Sequence, residues 1–220
     1  MAGYFGRTLV MPIGDSITAG TGSTGSLNSA GYRSIMNDTA TSFGRSIKFV
    51  GSQNIGTFTN NACEGYPGAT TATIQASSLA PQMGGEPDII LSAPGTNDLG
   101  GGATAAQLDT IYTTYLNSLW DRAAHYPGRQ SPLRAVICST ILKRNDDLVV
   151  LNPKVIDFNT NHLPAIVANQ VALGRDVVLV DGYTAVTSFS VDNIHPNDAG
   201  YQQWLPIWLQ QLMPRLRVAA

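Results

Sequence analysis

Charge is scarce in this chain. Charged residues make up 13% of its 220 positions, the formal net charge is −2, and no block of basic residues occurs. A protein that binds nucleic acid or an anionic membrane surface usually carries such a block. We therefore expect neither a nucleic-acid partner nor a membrane partner.

Long apolar runs and cysteines are also lacking. The apolar stretches fall far short of the roughly 20 residues that a membrane-spanning helix needs, and residues 1–7 show no apolar core of a signal peptide. The only cysteines are Cys63 and Cys138, too few to define a redox compartment. Cys138 lies in an apolar run, which favours a buried thiol, while a disulfide between the two stays open.

Signatures of metal and phosphate sites are missing as well. The chain has no EF-hand-like run of carboxylates, and the glycine-rich segment 20–26 lacks the Gly-Lys-Ser/Thr ending of a P-loop. We expect no cofactor and no metal, and we interpret segment 20–26 as a flexible rim loop.

Apolar residues make up 43% of the sequence, which suits a single globular domain over residues 1–220. Five short apolar or β-branched runs, mostly continuous rather than alternating, have the pattern of strands buried on both faces of a parallel sheet. These runs cover residues 8–13, 47–51, 88–94, 134–140 and 176–181.

Helical patterns separate these runs. The predicted helices cover 105–126, 152–174, the residues after Asn197, and a shorter stretch near 32–43. Thr104 and Gln107 form a plausible capping box for the first of them, and Pro164 predicts a break or kink in the second. Alternation of strands and helices predicts a three-layer α/β/α domain with right-handed crossovers.

Ser16 stands where the first predicted strand gives way to a helix. Ligands of open α/β sheets bind beyond the carboxyl ends of the strands, so its hydroxyl can project into a binding crevice. A serine hydroxyl is a poor nucleophile unless a base accepts its proton. The alternative is an ordinary N-cap serine at a strand–helix turn.

His195 lies in a polar loop just before the last predicted helix, three residues after Asp192. A loop can direct both side chains the same way, so Asp192 can hold one ring nitrogen while the other faces Ser16. The alternative is a simple turn, because these residue types favour turns. The other histidines, His125 and His162, are better interpreted as surface or capping residues.

Acyl transfer also needs hydrogen-bond donors for the oxyanion that develops at the carbonyl. Three donors are available in this sequence: the backbone N–H of Ser16, the side-chain amide of Asn97 after the third predicted strand, and a backbone N–H at Gly68. Each position has an alternative interpretation as a turn residue.

Together these blocks resemble those of the SGNH, or GDSL-type, hydrolase superfamily, in the correct order and over nearly the whole chain. They are Gly14-Asp15-Ser16, Gly68, Gly95-Thr96-Asn97-Asp98 and Asp192-x-x-His195-Pro196. The resemblance implies an α/β flavodoxin-like fold with a five-stranded parallel sheet of order 2-1-3-4-5. It also implies Ser16 as nucleophile, His195 as base and acid, and Asp192 as orienting carboxylate, with Ser16, Gly68 and Asn97 forming the oxyanion hole.

Finer similarity points to carbohydrate esterase family 3, which contains acetylxylan esterases and related acetyl esterases. It is carried by residues 11–18, 49–52, 64–68, 87–91 and 195–201. The resemblance implies a serine ester hydrolase that removes acetyl groups from xylan or oligosaccharide hydroxyls through an acyl-enzyme. It implies secretion and an acetylated saccharide as substrate, and we expect a monomer.

One departure from that family concerns the substrate. Relatives commonly carry a tryptophan after the oxyanion glycine, whereas Ala69 and Thr70 follow Gly68 in this sequence. An aromatic wall beside the site is therefore missing or supplied from elsewhere. A general short-chain esterase, lipase or thioesterase on the same triad stays an alternative, as does a noncatalytic carbohydrate- or anion-binding domain.

Overall fold

The computed structural model describes residues 6–78, 86–121 and 133–218. The strands of the sheet are β1 (Thr8–Gly14), β2 (Ile47–Phe49), β3 (Gln53–Asn54), β4 (Ala62–Gly65), β5 (Ile89–Ala93), β6 (Ala135–Ser139) and β7 (Val177–Val180). The helices are α1 (Ser16–Ala19), α2 (Tyr32–Ser42), α3 (Thr71–Ser78), α4 (Thr96–Gly100), α5 (Ala105–Trp120), α6 (Leu151–Asp157), α7 (Leu163–Ala172), α8 (Gly182–Ala185) and α9 (Asp198–Leu212).

The parallel part of the sheet runs in the order β2-β1-β5-β6-β7. This confirms the predicted α/β class and the predicted order of the five strands. The count of five was incomplete, because β3 and β4 bring the sheet to seven strands. Both are short, with the sequences Gln-Asn and Ala-Cys-Glu-Gly, and neither carries a continuous apolar run of strand length.

Strand β4 pairs with the last two residues of β1, on the edge where β2 pairs with the first three. The two strands thus share one side of β1, while β5 pairs along the other side. This arrangement brings the residues after β4 next to the end of β1, where functional residues of such sheets gather.

The helices lie where the sequence predicts them, but some of their ends differ from the prediction. Helix α5 has the predicted capping box at Thr104 and Gln107. It ends at Trp120, earlier than predicted, and residues 122–126 of the prediction lie outside the described residues. The predicted break before Pro164 is a π-helical segment, Phe158–His162, between α6 and α7.

Two hydrophobic cores lie on the two faces of the sheet, which confirms the three layers. One core packs α3, α5, α6 and α7 against the sheet, and the other packs α2 and α9.

Cys63 and Cys138 are buried and free, so the disulfide left open above is not formed. No helix in the described part of the chain is long and apolar enough to cross a membrane.

Candidate active site

Ser16 is the first residue of α1, directly after β1, and only 8% of it is exposed. The N-cap of this helix is Asp15, whose Oδ1 accepts a hydrogen bond from the Ile17 N–H at 2.9 Å. The N-cap role considered for Ser16 is therefore taken by its neighbour. The hydroxyl of Ser16 is left available for other contacts.

Two glycines let α1 lie close to the strands. A Cβ on Gly14 would overlap the Oγ1 of Thr18 in α1, and a Cβ on Gly65 would lie 2.8 Å from the backbone nitrogen of Ala19, also in α1. Real Cβ atoms do not approach other heavy atoms this closely, so a larger residue at either position would displace α1. The position of Ser16 therefore depends on both glycines.

His195 lies between Ser16 and Asp192, as the sequence predicts. Its Nε2 is 2.8 Å from the Oγ of Ser16, and its Nδ1 is 2.6 Å from Oδ2 of Asp192. The other carboxylate oxygen of Asp192 accepts hydrogen bonds from the N–H groups of Ile194 and His195 and from the hydroxyl of Ser190. This geometry is that of a Ser–His–Asp triad.

The environment of Asp192 keeps its carboxyl ionised. Partial desolvation acts to raise the pKa, but hydrogen bonds from His195, Ile194 and Ser190 outweigh it and hold the pKa well below its usual range. An ionised carboxylate at Nδ1 favours the tautomer in which Nε2 is unprotonated and can accept the proton of Ser16.

The rim loop 20–26 packs against the loop of His195. A Cβ on Gly22 would lie 2.5 Å from the carbonyl oxygen of Pro196 and 3.0 Å from the Cβ of His195. The carboxylate of Asp198 accepts hydrogen bonds from Thr24 and Ser26. The loop predicted to be flexible is thus tied to the start of α9.

Residues 20–25 of this loop spell Gly-x-Gly-x-x-Gly. A dinucleotide-binding fingerprint requires that pattern between a strand and the helix that the strand enters. Here helix α1 separates β1 from the loop, so the structural context of that fingerprint is missing.

The three groups predicted to bind an oxyanion meet at one cavity of about 660 Å³. Ser16, Gly68, Asn97 and His195 all line it. Asn97 uses its amide to donate to the carbonyl oxygen of Ala69 at 3.0 Å, which leaves its second amide hydrogen available. Gly68 has a φ of +77°, and its N–H has no acceptor among residues 6–78, 86–121 and 133–218.

A buried carboxylate that the sequence did not single out holds the loop of Gly68. Glu64, at the end of β4, accepts hydrogen bonds from the N–H and hydroxyl of Ser52 and from the hydroxyl of Tyr66. Burial raises the pKa of Glu64, although these hydrogen bonds act to lower it. The only sequence signal was the position of Glu64 inside the block 64–68.

Within residues 6–78, 86–121 and 133–218, no aromatic side chain takes the place of the missing tryptophan beside the cavity. The described residues that line the cavity, apart from His195, have no aromatic ring; they are Ser16, Thr21, Pro67, Gly68, Thr70, Thr96, Asn97, Gly100, Gly101, Arg144 and Ile194. The lining among the described residues is therefore made mostly of small side chains, and it includes the guanidinium of Arg144. Sequence analysis missed this arginine, which lies after β6 without a recognisable motif.

The other two histidines were interpreted from the sequence as surface or capping residues. His162 is hydrogen-bonded to Asp109 and stacks on Phe158, while His125 lies outside the described residues. Among the residues that the structure describes, no group of three or more His, Cys, Asp or Glu side chains could hold a metal ion.

Comparison with known families agrees with this geometry. The model of the GDSL-like lipase/acylhydrolase family matches residues 13–203. A sequence search of curated proteins finds no match.

Solved structures give a finer comparison. An acetyl esterase mutant with an acetate ion is 26% identical, with a TM-score of 0.73 over 94% of this chain and 99% of that chain. A carbohydrate esterase family 3 protein from Talaromyces cellulolyticus is 28% identical, with a TM-score of 0.70 over 94% and 99%. A family 3 carbohydrate esterase of Clostridium thermocellum shares the fold, at 22% identity and a TM-score of 0.73 over 95% and 98%.

Proposed function

This chain belongs to the GDSL-like lipase/acylhydrolase family and is a carboxylic ester hydrolase, and we propose that it removes acetyl groups from carbohydrate hydroxyls. The acetyl esterase and the Talaromyces carbohydrate esterase, each similar over almost the whole chain, support this substrate class. Secretion, which the resemblance to carbohydrate esterases implies, and the monomeric state both stay predictions.

The observation that carries the proposal is the hydrogen-bonded chain from Ser16 through His195 to Asp192. In the first step, the Oγ of Ser16 attacks the ester carbonyl while Nε2 of His195 accepts its proton. The carboxylate of Asp192 stabilises the imidazolium that forms. The N–H groups of Ser16 and Gly68 and the amide of Asn97 bind the oxyanion.

Collapse of this intermediate releases the sugar hydroxyl, which takes its proton from His195, and leaves an acetyl group on Ser16. A water molecule then attacks the acetyl-enzyme, with His195 again accepting a proton. Acetate leaves, and the proton returns to Ser16. Each half of the reaction uses the same three donors for the oxyanion.

The first test replaces the nucleophile. Ser16→Ala is expected to lower kcat by roughly 10⁶-fold, as loss of a triad serine does elsewhere, with an unchanged melting temperature. A serine-directed organophosphonate should label Ser16 in the native protein and fail to label Ser16→Ala. Ser78→Ala, which removes a buried hydroxyl bonded to the carbonyl of Ile74, is the control and should keep activity. Normal activity of Ser16→Ala would disprove the mechanism.

A second candidate is a short-chain esterase that prefers acyl groups longer than acetyl. The small residues beside Gly68 favour it, because Ala69 and Thr70 leave space where relatives carry a tryptophan. Nitrophenyl esters of increasing chain length, compared with acetylated xylan and cello-oligosaccharides, separate the two. Highest kcat/KM on acetyl saccharides supports the proposal, and a rising kcat/KM with chain length rejects it.

A further inference from the structure

Arg144 lies in the loop after β6 and is 7% exposed. Its side chain lines the same cavity as Ser16 and Asn97, yet the mechanism above gives it no task. A guanidinium is strongly hydrated in water, so burying one requires fixed hydrogen-bond partners. Those partners show what the residue does.

One carboxylate fixes the plane of the guanidinium. Nε and Nη2 of Arg144 donate to the two oxygens of Asp146 at 2.7 and 2.6 Å. Such a two-bond pairing restrains orientation as well as position, and it holds the pKa of Asp146 below its ordinary value. With Nε and Nη2 paired to Asp146, the remaining nitrogen, Nη1, points toward the carbonyl oxygen of Thr96.

Nη1 of Arg144 lies beside α4, the five-residue helix that carries Asn97. It donates to the carbonyl oxygen of Thr96 at 3.3 Å. At the other end of the helix, a Cβ on Gly100 would lie 2.9 Å from Nη1, so the absence of a side chain there makes room for the guanidinium.

Helix α4 depends on contacts with other segments for its position. Besides the guanidinium, these contacts are hydrogen bonds from the N–H and hydroxyl of Thr71 to Asp98 and the burial of Leu99 in the core. A helix of five residues is far below the length that is stable in isolation. Its N-cap is Gly95, with a φ of +120° and no side chain to cap the helix. Contacts from outside must therefore set the position of α4, and with it the position of Asn97.

The segment that carries Arg144 is itself anchored on two sides. The Arg144 N–H donates to Oδ1 of Asn152 in α6 at 3.2 Å. The next residue, Asn145, donates its N–H to the carbonyl of Asn193 at 3.1 Å, inside the loop between Asp192 and His195. The segment thus joins the helix of Asn97 to the loop of the triad histidine.

We propose that Arg144 is a positioning residue, which holds α4 so that the amide of Asn97 stays aligned with the oxyanion formed at Ser16. The proposal rests on the ester hydrolysis proposed above. It assigns no contact between Arg144 and the reacting atoms. Binding of a substrate carboxylate by Arg144 is the competing explanation.

The test is a double-mutant cycle on an acetyl ester. Lysine cannot form the two-bond pairing with Asp146, so Arg144→Lys should lower kcat by about 10-fold with KM within about twofold, the pattern of an interaction made in the transition state. Asn97→Ala should lower kcat by about 10²- to 10³-fold. If Arg144 acts through Asn97, the double variant is no slower than Asn97→Ala alone.

Two further variants keep the test decisive if Arg144→Lys folds poorly. Gly100→Ala places a methyl group against Nη1 without changing any charge, and Asp146→Asn removes one arm of the pairing; both should lower kcat in the same way. Arg175→Lys is the matched control. Arg175 is bonded to Asn117 and Gln170 near the amino end of β7, and its replacement should leave kcat unchanged.

The outcomes separate this proposal from the proposed function. A wild-type protein with no esterase activity and no labelling of Ser16 rejects the function itself. An active wild type in which the Arg144 and Asn97 effects multiply rejects only the positioning role. A rise in KM limited to anionic esters, with kcat unchanged, also rejects it and identifies Arg144 as a substrate-binding group.

Discussion

Asp15, a residue of the Gly14-Asp15-Ser16 motif, supports the proposed nucleophile through the backbone of α1. Its Oδ1 caps α1 and so frees Ser16 from that role. The carboxyl is fully buried, and its Oδ2 has no partner within the described residues. Desolvation therefore raises the pKa of Asp15 from 3.8 to about 6, against the opposing effects of the Ile17 N–H and His195.

This raised pKa predicts a pH-dependent stability. Between pH 3.8 and about 6 the unfolded chain has lost the Asp15 proton while the folded protein retains it. The unfolded state then binds fewer protons, so this group lowers the free energy of unfolding as the pH rises through that window. At about 1.4 kcal/mol per unit of pKa, the loss is about 3 kcal/mol above pH 6.

Asp15→Asn keeps an oxygen for the cap but cannot ionise. We expect its free energy of unfolding, relative to that of the wild type, to increase by about 2 kcal/mol from pH 4 to pH 7. Urea unfolding at both pH values measures this, and pH 4 serves as the internal reference because the folded protein keeps Asp15 largely neutral there. A difference that does not vary with pH would contradict the assignment.

The rim loop, which follows α1, is hydrogen-bonded to the start of α9. Asp198, in the first turn of α9, accepts hydrogen bonds from Thr24 and Ser26, and Gly22 lies against His195. These contacts restrain the segment that follows His195. The loop therefore helps to fix the imidazole relative to Ser16.

Asp198→Ala removes all of these bonds. We expect kcat to fall by about 10-fold, since small displacements of a catalytic group are costly, and amide hydrogen exchange over residues 22–28 to accelerate. The matched control is Thr104→Ala, which removes the cap of α5 and should lower stability by about 1 kcal/mol without changing kcat. Equal activity of both variants would show that the loop does not position His195.

The sequence predicted that the helical pattern 152–174 is broken near Pro164, but not the form of the break. Pro164 lacks the N–H that an uninterrupted helix needs, and the π-helical segment Phe158–His162 lies just before it. The sequence did not show what the break does. The side chain of Asn159 bonds both the N–H and the carbonyl of Ile141 and so anchors the loop that leads to Arg144.

Exposure of the two cysteine thiols to solvent should require unfolding of the central sheet. Cys63 and Cys138 are both fully buried. Burial raises the pKa of Cys63, and it raises the pKa of Cys138 to about 12. Because the thiolate is the reactive form, both should be inert while the sheet is intact.

A thiol reagent should therefore detect no reactive cysteine in the native protein and two after denaturation. The labelling rate under native conditions should follow the free energy of unfolding across urea concentrations, and added reductant should not change the melting temperature. Fast labelling of either thiol in the native protein would show local opening of β4 or β6.

The apolar pattern of the sequence predicted the five parallel strands, and its motifs predicted Ser16, His195 and Asp192 as catalytic residues. Continuous apolar runs identify strands buried on both faces, and polar residues directly after such runs mark the carboxyl edge of the sheet. Ser16 and Asn97 could be placed at that edge for this reason, and the spacing of Asp192 and His195 within one loop is a local property.

The groups that support those residues became identifiable from the folded structure. Glu64, Asp198 and Arg144 each form a hydrogen bond with a segment at least 12 residues away in sequence, and no local pattern encodes such partners. The sequence did not predict β3 and β4, because short strands without an apolar run are stabilised mainly by pairing with neighbouring strands rather than by their own residue preferences. Burial set the pKa of Asp15, and burial is a property of the packed molecule rather than of the motif.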